Sequence, residues 1–151
     1  MSMAAGLNTY EKSDTVYRWR FLQYVSPPPG KRKAMEDWRA GLPVGGRASM
    51  DTFLRTVARK DNWTHPDIKA LKGKKYKGLS ELRWSFDGVP YRLIGYTVSD
   101  HTFLGLIGCT HDSKKYKPPS ALDSAVERKK LIANEKATTS EYRLHTDQGT
   151  A

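Results

Sequence analysis

Cysteine is almost missing from this chain: of 151 residues, only Cys109 carries a thiol. An intramolecular disulfide and a thiolate-held cluster are thereby excluded, and a reducing compartment is the expected setting. Cys109 closes the most apolar run of the chain and reads as a small buried residue rather than a nucleophile. No 18 consecutive apolar residues occur anywhere, and the N-terminus has no basic segment followed by an apolar one. Neither a membrane-spanning helix nor a secretory leader is expected, and the cytoplasm is the default location. The four histidines (His65, His101, His111, His145) lack metal-ligand spacing, so no metal and no other cofactor is expected. Gly73 and Gly78 flank lysines without the Gly-Lys-Ser/Thr ending of a phosphate loop, and no Gly-x-Ser-x-Gly elbow exists.

Acidic residues are also scarce. Sixteen Asp and Glu stand against 26 Lys and Arg, a net charge of +10. Such an imbalance favours a polyanionic partner and fast, salt-sensitive association, and calls for no membrane. A merely soluble basic surface is the plainer explanation. Apolar residues are few at 38%, but four Trp, eight Tyr and four Phe supply enough bulk for a compact core.

Residues 1–14 are polar and small and read as a flexible lead-in, followed by a single domain over 15–136. From Val16 to Val25, Tyr17, Trp19, Phe21 and Val25 alternate with Arg18 and Arg20, the period of a half-buried strand. Pro27, Pro28, Pro29 and Gly30 end it. A weakly amphipathic helix is predicted from Lys31 to Ala40, then a loop over Leu42-Pro43-Val44-Gly45-Gly46. Ser49 caps a second helix that carries Met50, Phe53, Leu54, Val57 and Ala58 on one face. The glycine-rich, charged run from Leu71 to Gly78 reads as an exposed loop. Three strands follow, Glu81 to Phe86, Val89 to Val98 and Phe103 to Cys109, the first two joined by the turn Asp87-Gly88. Ser120 and Asp123 form a capping box for a last helix running to about Lys136, and residues 137–151 read as a polar tail. The predicted fold is α+β: a small antiparallel sheet of one N-terminal strand and a three-strand meander. An N-terminal helical hairpin and a C-terminal helix lie against one face of it. Trp19, Phe21, Phe53, Leu54, Trp84, Leu93, Leu104, Leu106, Val126 and Ile132 are the expected core.

The hairpin permits a geometric inference. A two-residue Asp87-Gly88 loop pairs Phe86 with Val89, Trp84 with Tyr91 and Leu82 with Leu93, which sets Arg83 directly across from Arg92. Like charges facing each other on a sheet cost roughly 0.2–1 kcal/mol. A shared anion reverses the sign, because guanidinium groups grip phosphate oxygens bidentately. The alternative is that Glu81 neutralises one arginine and solvent the other. Two basic loops add to the picture. Lys69, Lys72, Lys74, Lys75 and Lys77 precede the arginines, and His111, Lys114, Lys115, Tyr116 and Lys117 follow the last strand. The start of the first meander strand and the end of the third are expected at one end of the sheet, with both loops flanking the arginine face.

The ordered set Leu71-Lys72-Gly73, Gly78-Leu79-Ser80-Glu81-Leu82-Arg83, Asp87-Gly88, Tyr91-Arg92, the apolar strand, Lys114-Lys115, Pro118, Ala125 and Arg128 resembles the RelE/HigB superfamily of toxin–antitoxin toxins. The resemblance is greatest to the HigB-like branch, which includes phage-derived members. It covers residues 69–132, and residues 16–60 in element order only. It implies a RelE-like fold and a metal-independent endoribonuclease that cuts mRNA, commonly on the ribosome. It also implies silencing by an antitoxin of helix-turn-helix type. Arg83 and Arg92 match the family's arginines. Lys114 and Lys115 match its basic pair loosely, since that pair usually lies closer to Gly108, where His111-Asp112 now intervene. Tyr116 and His111 are both candidates for proton transfer, and Lys72, Lys74, Lys75, Lys77 and Lys117 for RNA binding. The competing reading is a non-catalytic module on the same fold, a ParE-like inhibitor or a phage-derived adaptor. Lys129, on the last helix, is expected to lie away from the sheet face.

Overall fold

The structure, a computed structural model, describes residues 17–146, so the lead-in over residues 1–14 lies outside the described residues. In chain order it contains β1 (Arg20–Val25), α1 (Ala34–Ala40), α2 (Val44–Ala58), β2 (Ile68–Ala70) and a 3-10 turn (Lys74–Tyr76). Then come β3 (Ser80–Phe86), β4 (Val89–Ser99), β5 (Thr102–Asp112), β6 (Lys115–Lys117), α3 (Ala121–Ala133) and β7 (Thr138–Tyr142). The expected order of strand, two helices, three-strand meander and helix is present, and the class is α+β. The sheet is larger than expected. It is mixed and seven-stranded, in the order β2-β3-β4-β5-β1-β7 with β6 beside β5. Strand β1 runs parallel to β5 and antiparallel to β7. The added strands are three to five residues long, too short for alternation to mark them in the sequence. The tail expected over residues 137–151 is not one where it is described, because Thr138–Tyr142 pairs with β1 and buries Tyr142; residues 147–151 lie outside the described residues.

The helices divide between the two faces of the sheet, which corrects the single-face arrangement. Helices α1 and α2 cover Phe21, Leu82, Trp84, Tyr91, Leu93 and Phe103. Helix α3 lies on the opposite face, its Ala121 and Ala125 packed with Ile94, Leu104, Leu106 and Cys109. The expected core is thus two layers. Phe21, Leu54, Trp84 and Leu93 are buried on one side and Leu104 and Leu106 on the other, while Trp19, Phe53, Val126 and Ile132 are half-buried at the margins.

Local chemistry explains the shifted helix ends. Gln23, buried on β1, accepts through Oε1 from the backbone N–H groups of Met35 and Glu36, so a strand residue caps the N-terminus of α1. Helix α2 starts at Val44, five residues before the expected cap at Ser49, with Gly45 and Gly46 in its first turn. These glycines stand there because of packing: a Cβ on Gly46 would come within 2.8 Å of Tyr91 Oη, and one on Gly45 within 2.7 Å of the Phe86 ring. Ser120 makes no side-chain cap, and α3 stops at Ala133. Asp123, its expected capping partner, instead takes Lys75 Nζ at 2.9 Å and the Tyr76 hydroxyl at 2.9 Å.

Candidate functional site

The β3–β4 hairpin has the register that Asp87-Gly88 predicts, with Arg83 opposite Arg92, Trp84 opposite Tyr91 and Leu82 opposite Leu93. Both turn residues adopt positive φ, 52° for Asp87 and 77° for Gly88, as a tight two-residue hairpin requires. Alternation then separates the aromatic face from the arginine face. Glu81 shares the arginine face because it lies two residues before Arg83. Across the next strand, Cys109 pairs with Arg92 and His111 with Tyr116 of β6. One face therefore gathers Glu81, Arg83, Arg92, Cys109, His111 and Tyr116, on four neighbouring strands.

Glu81 is the hub. Its Oε2 lies 3.4 Å from Arg83 Nε and 3.7 Å from Arg92 Nε, and its Oε1 accepts from the Tyr116 hydroxyl at 2.8 Å. The carboxylate is 4% exposed and Arg92 8%, so this is a desolvated cluster with two guanidinium groups against one carboxylate. Excess positive charge remains, and so does donor capacity: Arg83 Nε is buried yet aligned with no acceptor. Arg92 donates to the carbonyl of Tyr91 at 2.9 Å. Burial lowers the Arg92 pKa, with Glu81 opposing that shift and Arg83 adding to it. Burial first, and then the bond to Glu81, hold the Tyr116 phenol above its ordinary range. Cys109 is buried and its thiol is pushed up to about 12 by desolvation, which makes it inert as a nucleophile.

Tyr116 and His111 stand in different surroundings. A phenol that holds its proton so firmly serves as a hydrogen-bond donor, not as an acid or base near neutral pH. His111 is half-buried, touches the Tyr116 ring edge-on at 4.7 Å between centroids, and has no hydrogen bond on its ring nitrogens among the described residues.

Not every predicted site residue joins the cluster. Lys114 and Lys115 are exposed at the β5–β6 turn and enter none of the hydrogen bonds or ion pairs around Glu81. Lys117 pairs with Asp112 at 3.4 Å. Strands β3 and β5 both run antiparallel to β4 and hence parallel to each other, so the start of β3 and the end of β5 lie at opposite ends of the sheet. The two basic loops therefore do not converge at one end, contrary to the sequence expectation. Lys72, Lys74 and Lys77 are exposed, whereas Lys75 is tied to α3 through Asp123. Lys129 does not lie away from the sheet: its ammonium stands over the Tyr96 ring at 4.5 Å. Among the described residues, no three His, Cys, Asp or Glu side chains gather as a metal site. Glu81 is the functional candidate that sequence reasoning undervalued. It was visible only as a neutraliser, although its position two residues before Arg83 gives it the same face.

Comparisons with protein-family models, curated proteins and solved structures find no match to this chain.

Proposed function

We propose that this chain is an RNA-cleaving toxin of the RelE/HigB type, acting on mRNA, commonly on the ribosome, and silenced by a cognate antitoxin. The observation that supports the reading is the gathering of Glu81, Arg83, Arg92 and His111 on one sheet face, with a surplus of positive charge. Cleavage by attack of a ribose 2′-hydroxyl on the adjacent phosphate needs three services. One group accepts the hydroxyl proton, one protonates the departing 5′-oxygen, and fixed cations stabilise charge growing on the phosphate oxygens. In this reading Glu81 is the base and His111 the acid. Arg83 and Arg92 are the cations, and Tyr116 positions Glu81. The phosphate displaces the carboxylate from part of its contact with the arginines, and it meets Arg83, the more exposed of the two, first; the buried, unaligned Arg83 Nε is donor capacity freed by that displacement. Lys72, Lys74 and Lys77 guide the polyanion from the far end of the sheet, and Lys114 and Lys115 from the near end.

The competing reading, a non-catalytic binding module on the same fold, draws on the same carboxylate. Glu81 already lies between the arginines, and a face that carries a counter-ion of its own needs no substrate to be stable. The two readings part on one experiment. Purified wild type and Glu81→Gln are incubated with mRNA, alone and on translating ribosomes, and RNA 5′ ends are mapped. New ends with the wild type and none with the variant support the nuclease. No cleavage under either condition supports the binding module.

A further inference from the structure

A second positively charged feature lies beside this cluster. Strand β5 is flanked by β1 along Thr102 to Gly105 and by β6 along Thr110 to Asp112, which leaves the stretch from Leu106 to Cys109 without a strand on that side. The notch so formed is a cleft of about 270 Å³, lined by Arg128, Arg32, Trp38, Tyr24, Ile107 and Gly108. Arg128 reaches it from α3. Its Nη1 donates to the carbonyl of Leu106 at 2.7 Å, and its guanidinium stands over the Tyr24 ring at 4.9 Å. Among the described residues no carboxylate pairs with it, although it is only half exposed to water. A partly desolvated cation is costly to keep without a counter-ion, and a folded domain rarely leaves one so. The one acid in the cleft, Asp37, is turned to the backbone N–H of Lys33 at 2.9 Å. Trp38 is half-buried and packs so closely on the strand that a Cβ on Gly108 would fall 2.0 Å from its ring. The glycine brings indole, strand backbone and guanidinium together at one opening.

We infer that this notch is a nucleotide subsite, in which Arg128 and the exposed Arg32 hold a phosphate and the base rests against Trp38 and Ile107. Guanidinium with an aromatic surface is the pairing that binds single-stranded nucleic acid without reading its sequence. The inference deepens the RNA-cleavage reading and rests on it for the identity of the ligand. Gly108 lies three residues before His111 on β5, roughly 10 Å at the rise of an extended strand. The arginine cluster lies on the face that carries α3, and Arg128 reaches the notch from that face while Trp38 reaches it from α1 on the other; an RNA strand that leaves the cluster along β5 meets the notch on its Arg128 side, so the notch takes a nucleotide that flanks the cut.

The test follows backbone and indole NMR signals of Ile107, Gly108 and Trp38 while wild type and Arg128→Gln are titrated with adenosine 5′-monophosphate, inorganic phosphate and a glutamate-rich peptide. Glutamine retains a donor for the Leu106 carbonyl, and a thermal melt establishes that the variant is folded; Arg32→Gln serves as the second variant. The nucleotide should shift the notch signals of the wild type, more strongly than inorganic phosphate does. Each substitution should weaken its binding by about tenfold, the worth of one charge-assisted hydrogen bond. Equal binding of phosphate and nucleotide would overturn the base contact. Shifts with the peptide alone, or none at all, would overturn the subsite. A notch that binds the nucleotide in a protein that cleaves no RNA would leave the subsite standing and remove the nuclease. Cleavage with a silent notch would do the reverse.

Discussion

The Tyr116 hydroxyl donates to Glu81 Oε1 at 2.8 Å from a strand three places away in the sheet, passing over the strands that carry Cys109 and Arg92. This contact both covers Arg92 and fixes the carboxylate. Removing the hydroxyl in Tyr116→Phe should cost about 1 kcal/mol of stability, because a buried acceptor loses its donor. Cleavage should fall about tenfold, the worth of roughly 1.4 kcal/mol in positioning, with the shape of the pH–rate profile between about pH 5 and 8 unchanged. A profile that loses one limb would make Tyr116 a proton carrier.

Arg92 projects from the sheet face opposite Tyr91 and Leu93, yet Arg92→Ala is not a clean removal of charge. Arg92 is 8% exposed and shares Glu81 with Arg83. Truncation leaves a desolvated carboxylate with one fewer partner, and the protein should be destabilised by about 3 kcal/mol or somewhat less. Arg83→Gln is the cleaner probe because that side chain is 26% exposed. It should lower cleavage by about 10²–10³, with a melting temperature close to that of the wild type.

His101 supplies a pH dependence away from the site. Its Nε2 meets the backbone carbonyl of Asp61 at 2.9 Å and its Nδ1 meets Asp100 at 2.8 Å, next to the stacked pair Trp19 and Trp63. The Asp61 contact first, and then Asp100, raise its pKa, with partial desolvation opposing them. A raised folded-state pKa means that the protonated form is the stabilising one. The contribution is complete below about pH 6.5, the unfolded value, and is lost as pH rises through the folded value. The urea midpoint of the wild type should therefore fall between pH 6 and 8 more than that of His101→Asn, a residue that tolerates the φ of 56° found here. Parallel curves would contradict the assignment.

The sequence was most legible where local chemistry decides the outcome. Asp87-Gly88 dictates a two-residue turn, the turn dictates the register, and the register puts Arg83 opposite Arg92. It was least legible where distant segments supply the missing partner. Gln23 caps a helix that begins eleven residues later, and Asp123 gives up its expected capping role to Lys75 and Tyr76. Strand β7 is polar because it is an edge strand paired only with β1, so its composition resembled a tail. The misplaced basic loop came from strand direction: two strands antiparallel to a third run parallel to each other.

The lysines of the first loop should separate under salt. Lys74→Glu should weaken RNA binding and reduce the salt dependence by about one phosphate contact, whereas Lys75→Ala should do less, because Asp123 already holds that ammonium at 2.9 Å. Fluorescence anisotropy with one RNA oligomer at several salt concentrations measures both. Equal slopes for the two variants would mean that the loop leaves α3 when RNA binds.

The proposed role of Glu81 as a base within a cationic cluster is tested directly by single-turnover cleavage of a ribosome-bound mRNA by wild type and Glu81→Gln, alongside their affinities for the same RNA with a 2′-deoxy sugar at the cut. The variant should cleave about 10²–10⁴ times more slowly, the usual worth of a general base, and bind the uncleavable RNA at least as tightly, since a negative charge has left the face. Unchanged cleavage in the variant, or a loss of binding that accounts for the whole loss of rate, would contradict it.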